Sequence, residues 1–132
     1  MRILSENLSG VLKIEMERHE DFRGWFSEGY QQNQFQKSSV TETFIQDNFS
    51  HTEKKGTIRW LHFQARPYSQ SRLFRCIRGT AYDVVVDLRR NSPTYLQWAG
   101  FELSKDRFEW LYIPKGYAHG FQALCDGRDC AV

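Results

Sequence analysis

The stretch TAYDVVVDLR, residues 80–89, is the clearest guide to the fold. Its many β-branched residues favour a β-strand, in which successive side chains point to opposite faces. On that geometry one face carries Tyr82, Val84, Val86 and Leu88, and the other carries Asp83, Val85 and Asp87. We predict that the first face belongs to the core and that the second holds the acids.

Short runs of the same kind lie on both sides of this strand, separated by Gly, Pro, Ser or Asn. We predict strands in GVLKIEM (10–16), GWFSEGY (24–30), TFIQDNFSHT (43–52), GTIRWLHFQAR (56–66), SRLFRCIRG (71–79), YLQWAGFEL (95–103), RFEWLYIP (107–114) and HGFQAL (119–124). Only QQNQFQKSS (31–39) has the composition of a helical turn. The regular spacing of short strands predicts an all-β sandwich or barrel.

The composition limits the classes of function. With 132 residues, 40% of them hydrophobic and 15% aromatic, the chain has the length and core content of one domain, residues 1–132. Its net charge of +2 comes from scattered basic residues, which is not the pattern of a nucleic-acid-binding protein. No stretch approaches the roughly 18 apolar residues of a membrane span. We expect no nucleic-acid partner and no membrane partner.

The cysteines bear on the compartment. Cys76, Cys125 and Cys130 form no C-x-x-C pair and leave one thiol over. This pattern argues against a secreted disulfide framework. We expect a cytoplasmic protein.

The stretch IRWLHFQAR (58–66) contains the first candidate for chemistry, His62. Metal-binding barrels usually offer two histidines one residue apart, but the second position here is Gln64. The other histidines are too distant in sequence for a local ligand pair unless the fold gathers them: His19, His51 and His119. We therefore expect no metal at this site.

The strand pattern leaves the role of His62 open. An ordinary imidazole titrates near neutrality and can serve as a base, but a histidine in a strand can equally be structural. Regular alternation places Arg59 and His62 on opposite faces, so a β-bulge is required if both face one pocket. Arg23, Arg59 and Arg72 could supply planar forks for phosphate oxygens, whereas Arg23 and Glu28 could also form a surface ion pair of little energetic value.

Five motifs in order resemble one family, the dTDP-4-dehydrorhamnose 3,5-epimerases. They are DFRGWFSE (21–28), FIQDNFS (44–50), IRWLHFQ (58–64), RCIRGTAYDVVVDLRRNSPT (75–94) and IPKGYAHGF (113–121). The resemblance spans roughly residues 10–125. It implies a cupin-type jelly roll without a metal or other cofactor, acting as a homodimer in which an N-terminal segment of one subunit completes the neighbour's site.

The resemblance also implies an activity and its residues. The family epimerises a dTDP-4-keto-6-deoxyhexose at carbon 3, carbon 5 or both, in the synthesis of deoxysugars such as rhamnose. The match makes His62 the base and Arg72 the group that stabilises the enolate. The implied substrate contacts are Arg23, Phe26 and Glu28 from the neighbouring subunit, and Gln46, Asn48, Arg59 and His119 from the subunit's own barrel.

Three departures from the family pattern qualify this prediction. Trp60 occupies a position that is usually glycine and could narrow the pocket, and Arg72 occupies a position that is usually lysine. The sequence ends at CDGRDCAV (125–132), before the positions of the family's tyrosine general acid and of the aspartate that orients its base. We therefore expect either a truncated epimerase or a short relative with altered chemistry. The alternatives are a catalytically impaired module that binds nucleotide sugars and a metal-dependent cupin enzyme.

Overall fold

A computed structural model describes residues 1–126, and for Trp60 it describes the backbone alone. Ten strands and one short helix follow in chain order: β1 (Arg2–Leu8), β2 (Val11–Glu15), β3 (His19–Asp21), β4 (Gly24–Phe26), α1 (Gln32–Lys37), β5 (Ile58–His62), β6 (Arg72–Arg75), β7 (Thr80–Asp87), β8 (Trp98–Ser104), β9 (Glu109–Ile113) and β10 (Tyr117–Ala123).

Eight of these strands form two four-stranded antiparallel sheets. The first sheet has the order β1-β2-β9-β6 and the second has the order β5-β10-β7-β8. Strands β3 and β4 form a separate hairpin, with His19 opposite Phe26. Strands that are distant in sequence are therefore neighbours, as in a jelly roll, and the predicted all-β class is confirmed.

Two apolar clusters stabilise the sheets. The first lies between the two sheets and includes Val11, Val85, Leu103 and Leu111, each fully buried. The second covers the outer face of the first sheet, where Phe35 of α1 packs with its ring centroid 6.3 Å from that of Trp110. Helix α1 is thus retained by its one buried aromatic side chain, since six residues are too few for a stable isolated helix.

The predicted faces of β7 were reversed. Ala81, Asp83, Val85 and Asp87 are buried between the sheets, whereas Tyr82, Val84 and Val86 lie on the outer face and are partly exposed. The interior of the barrel is polar at Asp83 and Asp87. Acids that alternate with valines therefore do not mark a solvent-exposed face in this strand. The Asp87 carboxylate accepts hydrogen bonds from Arg89, and one oxygen of the Asp83 carboxylate is hydrogen-bonded to His119.

The predicted strand at residues 43–52 was also wrong. Residues 41–50 have no regular secondary structure, and only His51 forms an isolated bridge. Ile45 and Phe49 are exposed there, so the apolar residues that suggested a strand do not enter the core. Strands β1 and β3, in contrast, were missed because their sequences are largely polar and their side chains are mostly exposed.

Cys76 is buried and Cys125 is half-buried, and Cys130 lies outside the described residues. Within residues 1–126 no helix is long and apolar enough to cross a membrane.

Candidate active site

A β-bulge in β5 brings two candidate residues to the interior. On β10, His119 and Phe121 are two residues apart, but their partners on β5 are His62 and Arg59, which are three apart. One extra residue of β5 is therefore accommodated between them. Because His119 and Phe121 both face the interior, Arg59 and His62 share that side of the sheet, as the sequence required for a common pocket.

His62 and His119 lie side by side across the two strands. Their ring centroids are 4.9 Å apart, with the planes tilted by 54°. His119 is 3% exposed, whereas His62 is exposed. The pair therefore extends from the interior of the barrel to its opening. The ring of Phe74, on β6 of the opposite sheet, contacts His119 with centroids 5.7 Å apart.

Asp83 completes this group from β7. Its Oδ2 lies 3.0 Å from Nδ1 of His119, and the side chain has no exposed surface. Burial raises the pKa of the Asp83 carboxyl, and the hydrogen bond to His119 and the charges of His119, His62 and Arg72 act against this rise. Sequence reasoning missed Asp83 because it placed the opposite face of β7 in the core. The signal that could have predicted Asp83 was an acid that alternates with valines on a strand typical of a barrel wall.

Arg72 approaches from the opposite sheet, at the first position of β6. It shares a strand face with Phe74, which contacts His119, so its guanidinium lies on the same side of the sheet as the histidines. Burial lowers the pKa of Arg72, and the carboxylate of Asp83 opposes this effect. A partly desolvated cation on this side of the sheet can stabilise negative charge that develops on a ligand.

Arg59 extends the site towards the segment at residues 41–52. Its Nη2 donates to the carbonyl oxygen of His51 at 2.8 Å, and its Nε donates to Oγ1 of the buried Thr52 at 3.3 Å. These two bonds anchor the segment that carries Gln46 and Asn48. Both of those side chains are exposed, and Nε2 of Gln46 donates to Oδ1 of Asn48 at 2.9 Å.

The other three predicted contacts lie around the β3–β4 hairpin. Arg23 is at its turn and donates to the Asp21 carboxylate, and Phe26 is 64% exposed at its end. Glu28 follows the hairpin and accepts from Nε2 of Gln34 at 2.6 Å. The hairpin packs on Phe108, whose ring centroid is 4.4 Å from that of Trp25. The described contacts of Arg23, Phe26 and Glu28 are thus with their own hairpin and with α1.

Two tyrosines are committed to structural contacts outside the histidine group. Tyr117 hydrogen-bonds with Arg89 and with the carbonyl oxygen of Ser9, and burial raises its pKa to about 12. Tyr112 donates to Glu42, and burial again raises its pKa. The side chain of Trp60 lies outside what the structure describes, so its predicted effect on the pocket stays a prediction.

The arrangement suits proton transfer next to an anion-stabilising cation. Within residues 1–126 no group of three His, Cys, Asp or Glu side chains is placed to hold a metal. An exposed imidazole at the opening can accept a proton from a bound molecule if a nearby cation meets the resulting negative charge.

Comparison with known proteins identifies the family of the chain. The family model for dTDP-4-dehydrorhamnose 3,5-epimerase matches residues 5–131. A dTDP-4-dehydrorhamnose 3,5-epimerase of Methanothermobacter thermautotrophicus is 44% identical over 131 residues, which cover 99% of this chain and 69% of that protein. Across five curated relatives, this chain spans 64–70% of the relative's own length.

Solved structures give the same result. The crystal structure of dTDP-4-dehydrorhamnose 3,5-epimerase from Bacillus anthracis with TDP and PPi bound superposes with a TM-score of 0.94 at 40% identity, covering 98% of this chain and 73% of that chain. The dTDP-6-deoxy-D-glucose-3,5-epimerase of Legionella pneumophila in complex with dTDP-4-keto-L-rhamnose has a TM-score of 0.88 at 35% identity, covering 98% and 68%. The predicted cupin-type jelly roll is thereby confirmed, and the chain belongs to the dTDP-4-dehydrorhamnose 3,5-epimerase family.

Proposed function

We propose that this chain epimerises a dTDP-4-keto-6-deoxyhexose in deoxysugar synthesis, inverting carbon 3, carbon 5 or both. The observation that carries the proposal is the His62–His119 pair at the opening of the barrel, with ring centroids 4.9 Å apart. The charge of Arg72 acts on Asp83, the hydrogen-bond partner of His119. Membership of the epimerase family and the ligand named for the Legionella relative support the choice of substrate.

His62 is the base in this proposal. The 4-keto group acidifies the hydrogens on carbons 3 and 5, so a neutral imidazole can remove one if the enolate is stabilised. The exposure of His62 supports this role because the ring is accessible to a bound sugar. When a donor on the opposite face of the sugar returns the proton, the centre is inverted.

Arg72 stabilises the enolate. Negative charge develops on the keto oxygen as the proton leaves, and one preorganised donor at such an oxygen contributes about 3–4 kcal/mol. The partial burial of Arg72 supports this role, because a charge interaction is stronger where water is excluded.

The nucleotide serves as a handle that holds the sugar in reacting geometry. Arg59, Gln46 and Asn48 bind it from the subunit's own barrel, together with His119 at the sugar. Arg23, Phe26 and Glu28 bind it from a second subunit, whose N-terminal segment is exchanged in a homodimer. The 64% exposure of Phe26 supports this exchange, since the ring has no full partner within its own chain's described residues.

The outer face of the second sheet supports the homodimer further. Ile58, Leu61 and Trp98 are each more than half exposed on strands of that sheet. Exposed apolar side chains that share one face of a sheet are typical of an interface. We also propose a cytoplasmic location, supported by the cysteine content of the sequence, in which three cysteines form no C-x-x-C pair.

Isotope exchange tests the activity. The protein is incubated with dTDP-4-dehydro-6-deoxyglucose in deuterated water, and deuterium at carbons 3 and 5 is followed by mass spectrometry and NMR. We expect incorporation with inversion. Which carbon gains deuterium identifies the centre that reacts.

His62→Asn tests the base. This variant should abolish exchange while its affinity for dTDP changes little, because the imidazole is proposed to act on the sugar alone. His51→Asn is the matched control, since His51 is an exposed histidine paired with Glu53 at 3.2 Å. Persisting exchange in His62→Asn would show that another group is the base.

The second candidate function is a binding module that holds a nucleotide sugar without inverting it. The departure at Arg72, where the family usually has lysine, favours it. Binding of dTDP without any exchange by the unmodified protein would establish this alternative. A metal-dependent enzyme would instead contain stoichiometric metal on elemental analysis.

A further inference from the structure

The Asp83 carboxylate is the most deeply buried ionisable group of the site. It has no exposed surface, and its Oδ1 lacks a hydrogen-bond partner among residues 1–126. An unpartnered buried carboxylate oxygen is destabilising by about 1–3 kcal/mol. An apolar residue at position 83 would make strand β7 more stable. We therefore look for a role of Asp83 other than packing.

The contacts of Asp83 indicate that role. Its Oδ2 is 3.0 Å from Nδ1 of His119, and His119 is itself 3% exposed. A neutral imidazole carries one N–H, and a carboxylate can only accept. The pair therefore favours the tautomer with the hydrogen on Nδ1, which leaves Nε2 as an acceptor.

The charges around Asp83 come from three different strands. His119 lies on β10, His62 on β5 and Arg72 on β6, and the residue opposite Asp83 on β8 is the apolar Phe101. The carboxylate is thus the negative group shared by one cation and two titratable rings.

We propose that Asp83 is a positioning residue for the epimerisation: it fixes His119 as the Nδ1–H tautomer, so that Nε2 accepts a hydrogen bond from a hydroxyl of the bound hexose. This inference rests on the proposed function. Asp83 touches no substrate and acts through His119.

Asp83→Asn tests the proposal, because it conserves shape and removes the charge. We expect kcat for exchange to fall roughly ten- to a hundredfold, as for other residues that orient a working histidine. Affinity for dTDP should change little.

A double substitution separates positioning from folding. If Asp83 acts through His119, Asp83→Asn should have little further effect on kcat in a His119→Asn background. Additive losses of kcat would overturn the proposal.

A measurement without substrate keeps the two proposals distinguishable. ¹⁵N NMR of the histidine rings should report the Nδ1–H tautomer for His119 in the unmodified protein and a mixture of tautomers in Asp83→Asn. If no exchange is detected but this tautomer shift occurs, the epimerase proposal fails and the positioning by Asp83 stands. If the tautomer is the same in both proteins, the positioning is wrong.

Discussion

Two aspartates on the buried face of β7 have different surroundings and different consequences. Asp83 has one hydrogen-bonding side chain, His119, whereas Asp87 accepts from Arg89, Ser92 and Thr94. Burial opposes ionisation of Asp87, but these hydrogen bonds outweigh it and hold the pKa of its carboxyl well below the usual range. Asp87 is therefore a stabilising anion, and Asp83 is the one available for function.

The pH dependence of stability should report Asp87. Its pKa is depressed in the folded state, so its contribution is complete above the unfolded-state pKa of about 4 and is lost as the pH falls below that value. Asp87→Asn should cost about 2–3 kcal/mol at pH 7, because charge-assisted bonds become neutral ones. Urea unfolding at pH 7 and pH 3 measures both effects.

We expect Asp87→Asn to lose less stability than the unmodified protein between pH 7 and pH 3. Asp106→Asn, at an exposed position, is the control and should follow the unmodified protein. Equal losses in Asp87→Asn and the unmodified protein would mean that Asp87 does not titrate between the folded and unfolded states as described.

The individual residues of the site could be predicted from the sequence only in part. His62, His119, Arg59 and Arg72 lie around one interior, as the motifs implied. Asp83 was missed because alternation shows that two faces differ without showing which is buried, and a polar barrel interior reverses the usual assignment. The contacts of Arg23, Phe26 and Glu28 across a dimer stay a prediction, since they require a second chain.

Among the elements, the most dependable predictions were strands rich in β-branched and aromatic residues. Strands β7, β8, β9 and β10 each lie within or close to their predicted runs. The run at residues 43–52 has similar composition but no regular structure, because strand formation depends on a neighbour with free backbone groups as well as on propensity. Strand β1 has such a neighbour in β2 and forms despite its polar sequence.

Gly116, in the turn between β9 and β10, allows a test of how this turn contributes to stability. Gly116 has a φ of +90°, and a Cβ there would lie 2.6 Å from Cγ of Arg89. Gly116→Ala should therefore combine left-handed backbone strain of about 1–2 kcal/mol with displacement of the Arg89 side chain from Asp87.

Gly56→Ala is the matched control, because Gly56 has a φ of +82° but no atom within 4 Å of its Cβ position. Unfolding in urea should show a larger loss for Gly116→Ala, by about 1 kcal/mol or more if one charge-assisted bond is lost. Equal losses would indicate that Arg89 adjusts without releasing Asp87.

For the whole molecule, the exchanged hairpin predicts complementation between inactive variants. His62→Asn inactivates the barrel of its own subunit, and a combined Arg23→Ala and Phe26→Ala variant impairs the neighbour's site. When the two variants are mixed in equal amounts and exchange subunits, half of the dimers contain one subunit of each variant. Each of these mixed dimers has two sites, of which one is complete. Exchange activity should recover to about one quarter of the unmodified rate.

Mixing His62→Asn with Arg72→Ala is the control, since both residues belong to the same barrel and mixed dimers contain no complete site. No recovery is expected there. Absence of recovery in the first mixture, with subunit exchange verified by light scattering or native mass spectrometry, would contradict the shared site.

Because of the bulge in β5, the site depends on the number of residues between Arg59 and His62. Arg59 and His62 are three residues apart, and in a regular strand two such side chains point to opposite faces. The extra residue of the bulge places both side chains on the same face. Deleting one residue at that point would produce a better-paired strand in which either the guanidinium or the imidazole points away from the cavity. Evolutionary shortening of this strand would therefore be penalised even where it strengthened the sheet.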